Sequence, residues 1–89
     1  MNEVQRIAFA FECLTKEIVN KPEALRMELL GGEKGPVTLR ISVAPSDVGR
    51  LIGMQGRTAR SLRIVLSTLS TKLGRKLTLD IVSTDAQTN

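Results

Sequence analysis

The chain has 89 residues, 42% of them hydrophobic, with a mean hydropathy of +0.01, the composition of one small domain with a single modest core. One cysteine and no histidine exclude an internal disulfide and histidine-based acid–base catalysis, and leave no ligand set for zinc or an iron–sulfur cluster, so no metal or cofactor is expected. The net charge is +4; no run approaches the roughly 18 apolar residues of a membrane span, and the N-terminus lacks a signal pattern, so a cytoplasmic protein is expected.

In chain order, Val4, Ile7, Ala8, Phe11, Leu14 and Ile18 recur at three- and four-residue spacing and predict one face of a helix over about 3–19. Asn20 and Pro22 end it. Leu25, Met27 and Leu29 alternate with polar residues, as do Val37, Leu39, Ile41 and Val43, with Gly31, Gly32, Gly35 and Pro36 between them: two antiparallel strands joined by a loop. Ser46 is placed to cap a short helix starting near Asp47 and stopping around Ile52. A longer helix then spans about 57–73, with Gly74 as its stop. A last strand covers 76–82, with Arg40 and Lys76 expected on a solvated face. The order is α-β-β-α-α-β, a two-layer α+β domain over residues 1–83 with a polar tail over 84–89. The two-helix crossover permits parallel pairing of the second and third strands, giving a three-stranded mixed sheet covered on one face by three helices.

Charge is concentrated in one stretch. Seven of the thirteen Lys and Arg residues lie between Val48 and Leu79, and all nine acidic residues lie outside it. Within it, "VGRLIGMQGRTARSLR" (48–63) holds Gly53-Met54-Gln55-Gly56 where the short helix meets the long one. Glycines there let the backbone turn tightly or approach a ligand closely. A helix N-terminus beside Arg57 and Arg60 suits an anion. The same tetrad would also serve as a plain helix–helix turn, but its place inside a basic stretch favours a phosphate backbone. The spacing is not that of a nucleotide-binding P-loop, and no strand precedes it.

This element order, the tetrad and the run "VAPSDVGRLIGMQGRTARSLR" resemble a type II KH domain, and the whole-chain pattern resembles the small bacterial KH proteins of the KhpA (YlqC) family. The resemblance implies a single-stranded RNA-binding protein. Gly53, Met54, Gln55 and Gly56 would approach the phosphates, Val48, Leu51 and Ile52 would contribute to an apolar groove for bases, and Arg50 and Arg57 would flank it, with Arg60 adding charge. Met54 departs from the Lys or Arg often found at that loop position. The resemblance further implies a chaperone-like or post-transcriptional role in cell elongation and envelope growth, together with a larger partner of the Jag (KhpB) type.

Both phenylalanines, Phe9 and Phe11, lie on the first helix, which argues against an aromatic stacking platform. On the long helix, Ala59, Leu62, Val65, Leu66, Leu69 and Leu73 share the inward side, while Ile64 falls nearly opposite, beside Arg63 and Ser67. That outer face is the expected contact of a homodimer, or of a heterodimer with the larger KH-containing partner. A protein-interaction module is thus the alternative to RNA binding. An enzyme is not expected: Glu12 and Glu17 sit on a helix flank, Asp47 has a capping position, and no nucleophile–base pair is apparent.

Overall fold

Asn2 starts the first helix with a reciprocal cap: its side chain accepts the Gln5 N–H at 2.8 Å, and its own N–H donates to Gln5 Oε1 at 3.0 Å. The computed structural model describes residues 1–84, apart from the side chains of Met54 and Gln55; residues 85–89 of the expected tail lie outside this range. Helix α1 (Glu3–Ile18) buries Val4, Ala8, Phe11 and Thr15. Leu14, expected on that face, is instead exposed. Thr15 takes the inward position because its hydroxyl donates to the Phe11 carbonyl at 2.7 Å, which removes the penalty of burying it.

A 3-10 turn (Pro22–Ala24) leads into strand β1 (Arg26–Gly31), which pairs antiparallel with β2 (Val37–Val43). Strand β3 (Leu77–Ser83) pairs parallel with β2, giving the order β1-β2-β3. This is the mixed sheet expected from the element order. Val37, Leu39, Ile41 and Val43 point inward from the central strand, and all four are buried with Phe11, Leu51, Leu62 and Leu66. The other sheet face is mostly polar, with Leu30 and Val82 as its apolar members. Arg40 is more than a solvated residue there: its Nε lies 3.2 Å from Asp80 Oδ2 and its Nη1 lies 4.0 Å from Glu28 Oε1, an ionic row across all three strands.

Helix α2 (Pro45–Leu73) differs in two respects from the expected pair of helices. It starts earlier, with Ala44 at the N-cap and Pro45 in the first turn rather than Ser46 as cap, because proline has its φ preset for that position and no N–H to satisfy there. It also runs through Ile52 without a stop. The break falls at Gly56, whose φ of +74° lies in the left-handed region that a right-handed helix cannot hold. The chain therefore has two helical arms, 45–55 and 57–73, and keeps the α-β-β-α-α-β order. At its end Gly74 donates to the Ser70 and Thr71 carbonyls. Arg75 then reaches back to the hairpin loop, with Nε 3.1 Å from the Gly35 carbonyl and Nη2 3.0 Å from that of Gly32. Among the described residues, no helix is long and apolar enough to cross a membrane.

Candidate nucleic-acid interface

The first arm of α2 is pinned by a buried carboxylate. Asp47 Oδ1 accepts the Asn20 N–H at 2.9 Å and Oδ2 accepts the Lys21 N–H at 3.0 Å, so the turn after α1 is fastened to the start of α2. Arg50 Nε lies 3.8 Å from Asp47 Oδ1. With its amide oxygen toward the guanidinium, Asn20 also accepts from Arg50 Nη2 at 2.7 Å. Arg50, expected to flank a phosphate, is thus held against the α1–β1 turn. The apolar residues of this arm divide three ways: Leu51 is wholly buried, Val48 is half-buried, and Ile52 is 46% exposed. Of the three expected groove residues, Ile52 presents the most surface.

The tetrad's two glycines have different reasons to be glycine. Gly56 needs to be one, since its positive φ is costly for any side chain. Gly53 has no such φ, and a Cβ added to it would meet nothing within 4 Å. Glycine in a helix interior is about 1 kcal/mol less favourable than alanine. Neither backbone nor packing asks for glycine at position 53, which leaves open space above the backbone at the price of a weaker helix. The side chains of Met54 and Gln55, expected to approach phosphate, lie outside the described part of the structure.

Arg57, Arg60 and Arg63 are exposed along the second arm. Among the described residues, none of the three has an acidic partner within ion-pair distance, unlike Arg40 and Arg50. Among the described residues their charge is uncompensated, and all three are exposed. Arg60 and Arg63 line a shallow depression with Ile52, Gly56, Ala59, Ile64 and Ser67, whereas Arg57 lines a different groove. Past Arg63 a second depression continues to Leu66 and the edge strand residues Leu77, Thr78 and Leu79. Arg63, Ile64 and Ser67, expected as a protein contact, therefore share one surface with Ile52, Gly56 and Arg60. Ile64 is 59% exposed, as its helical position predicts.

Two features escape the sequence. Val65, expected inward, is 50% exposed and lines a separate groove between the helices with Leu14, Ile18, Arg57 and Ser61, where α1 and the second arm leave a gap rather than pack. The edge of β3 forms a wall of the site: Arg63 Nη2 lies 3.4 Å from the Leu79 carbonyl, and Ser70 Oγ accepts the Leu77 N–H at 3.1 Å. No cluster of three or more His, Cys, Asp or Glu able to hold a metal occurs among the described residues.

Residues 10–81 match the family model described as KhpA/KhpB, KH domain. The chain is 37% identical over 71 residues to the RNA-binding protein KhpA of Aquifex aeolicus (strain VF5), covering 80% of this chain and 89% of the relative. It is 35% identical over 81 residues to the RNA-binding protein KhpA of Borreliella burgdorferi, covering 91% and 93%. It is 37% identical over 76 residues to the protein of that name from Mycobacterium tuberculosis (strain ATCC 25618 / H37Rv), covering 85% and 90%.

Proposed function

The chain belongs to the KhpA/KhpB KH-domain family, and from that premise we propose that it binds single-stranded RNA by clamping the backbone at Gly53-Met54-Gln55-Gly56. KH domains are non-catalytic modules that grip a few nucleotides of an extended strand. Arg57 and Arg60 supply charge to the phosphates, and the depression floored by Ile52, Ala59 and Ile64 receives bases. The observation that carries this reading is Gly53: a helix-weakening residue where the fold gains nothing from it serves a backbone that must come close.

The test is titration of a labelled single-stranded RNA by fluorescence anisotropy. Gly53→Ala, and separately Met54→Asp with Gln55→Asp, weaken binding at matched salt while circular dichroism stays unchanged. Equal affinities for wild type and both variants overturn the clamp. A duplex of the same length competes poorly, since a narrow clamp for one extended strand does not admit two; preferential duplex binding overturns it as well.

The cellular side of the proposal comes from the family resemblance: a chaperone-like, post-transcriptional role in the cytoplasm, tied to cell elongation and envelope growth. A second reading, assembly as homodimer or as heterodimer with a Jag (KhpB)-type protein, is favoured by the exposure of Ile64 on a face otherwise carrying Arg63 and Ser67. The groove of Leu14 and Val65 offers a second apolar surface for such a contact.

A further inference from the structure

We propose that Arg63 is a base-selecting residue of this surface, favouring a base that presents two adjacent acceptors: guanine through N7 and O6, or cytosine through N3 and O2. The proposal rests on the reading of the site as a single-stranded RNA groove. Arg63 lines both depressions, the one beside the tetrad and the one along β3. It stands seven residues after Gly56, about 10 Å along a helix, which suits a nucleotide whose phosphate rests at the tetrad and whose base lies over the arm. Arg57 and Arg60, nearer the tetrad, are placed for phosphate instead.

The strand edge steers the guanidinium. Lys76 faces its carbonyl toward β2, where it accepts the Val37 N–H at 2.9 Å. By strand alternation the peptide groups of Thr78 and Asp80 face the same way, and those of Leu77 and Leu79 face the groove. Leu79 therefore offers its carbonyl to Arg63 Nη2, at the long distance of 3.4 Å. One weak bond orients the group and leaves most of its five donors to the groove, with no carboxylate paired to it among the described residues.

A planar fork of donors discriminates by what it meets. Guanine's Hoogsteen edge and cytosine's Watson–Crick edge each present two neighbouring acceptors that a guanidinium satisfies together. Adenine N7/N6 and uracil O4/N3 each present one acceptor beside a donor, which sets N–H against N–H and leaves a desolvated donor unmatched. The floor of Ile52, Ala59 and Ile64 contains no aromatic ring, so it ranks the bases little by stacking and leaves the choice to the edge contact.

The experiment uses the full chain and four labelled nonamers: oligouridine, and oligouridine carrying one central guanosine, cytidine or adenosine. Wild type binds the guanosine or the cytidine nonamer roughly tenfold tighter than the other oligomers, the size of one good bidentate base contact; which of the two wins identifies the edge. Arg63→Lys, which keeps the charge and loses the fork, removes this preference while retaining affinity for oligouridine. Binding by wild type with no base preference, or a preference that survives Arg63→Lys, overturns the proposal and leaves the RNA reading intact. Failure of wild type to bind any nonamer at low salt overturns both.

Discussion

Asp47 and Asn20 are joined across 27 residues by a 2.9 Å bond from the Asn20 N–H to Asp47 Oδ1. With its second oxygen on the Lys21 N–H and Arg50 beside it, this carboxylate has a neighbouring donor for each oxygen. Asp47→Asn keeps the shape but turns an amide toward one of those donors. We predict a loss of about 1–3 kcal/mol in unfolding free energy, the cost of stranding a buried partner of a charged group. Urea denaturation measures it, and an unchanged midpoint would show that the staple is dispensable.

The two tetrad glycines separate fold from function. Gly56→Ala forces a side chain into φ +74° and costs about 1 kcal/mol or more of stability. Gly53→Ala removes a weak helix residue into open space and leaves stability equal or up to about 1 kcal/mol higher. RNA affinity falls in both. Thermal unfolding of the pair, run beside the binding titration, checks that Gly56→Ala destabilises and Gly53→Ala does not.

Salt dependence distinguishes the arginines. Arg57→Gln lowers affinity for all sequences alike and reduces the slope of log affinity against log salt by about 0.7, the counterion release of one single-strand phosphate contact. Arg50→Gln acts chiefly on stability, since its guanidinium is engaged by Asp47 and Asn20. A loss of about 0.7 from the Arg50→Gln slope as well would place that side chain on the RNA instead.

Self-association and RNA binding compete if Ile64 is the contact, because Ile64 lines the depression that also holds Gly56 and Arg60. Ile64→Lys is then a folded monomer in sedimentation, and RNA dissociates wild-type dimers. Val65→Lys probes the other groove: a monomer from this variant alone moves the contact to Leu14 and Val65, away from the depression that holds Ile64.

The strands were legible because Val37, Leu39, Ile41 and Val43 alternate without interruption, and a period of two fixes which face is buried. Gly74 was legible as a stop for the same local reason. Elsewhere the outcome depended on neighbours that a periodicity does not contain. Val65 lies within the apolar arc of its helix, yet exposure there depends on where α1 runs. Asp47 reads as a first-turn carboxylate, and its two backbone partners, distant in sequence, come together only in the fold. Of the candidate site, the tetrad and the arginines were visible in the residues. The wall formed by the edge of β3 was not, since Arg63 meets Leu79 only when the crossover has folded back.

That crossover also sets an order of events. Val37 and Leu77, which begin the parallel pair, are forty residues apart in sequence, whereas the hairpin of β1 and β2 closes over a short loop. The ribosome therefore releases the central strand long before its second neighbour. During that interval the side of β2 awaiting β3 offers unpaired backbone to any other strand, a route to aggregation. A chain interrupted before Leu77 is trapped in that condition, and the wall of the proposed groove is missing from it. Premature termination or proteolysis within α2 thus yields a sticky fragment rather than a weakened binder, and such fragments are expected in the pellet when soluble chains are separated by centrifugation.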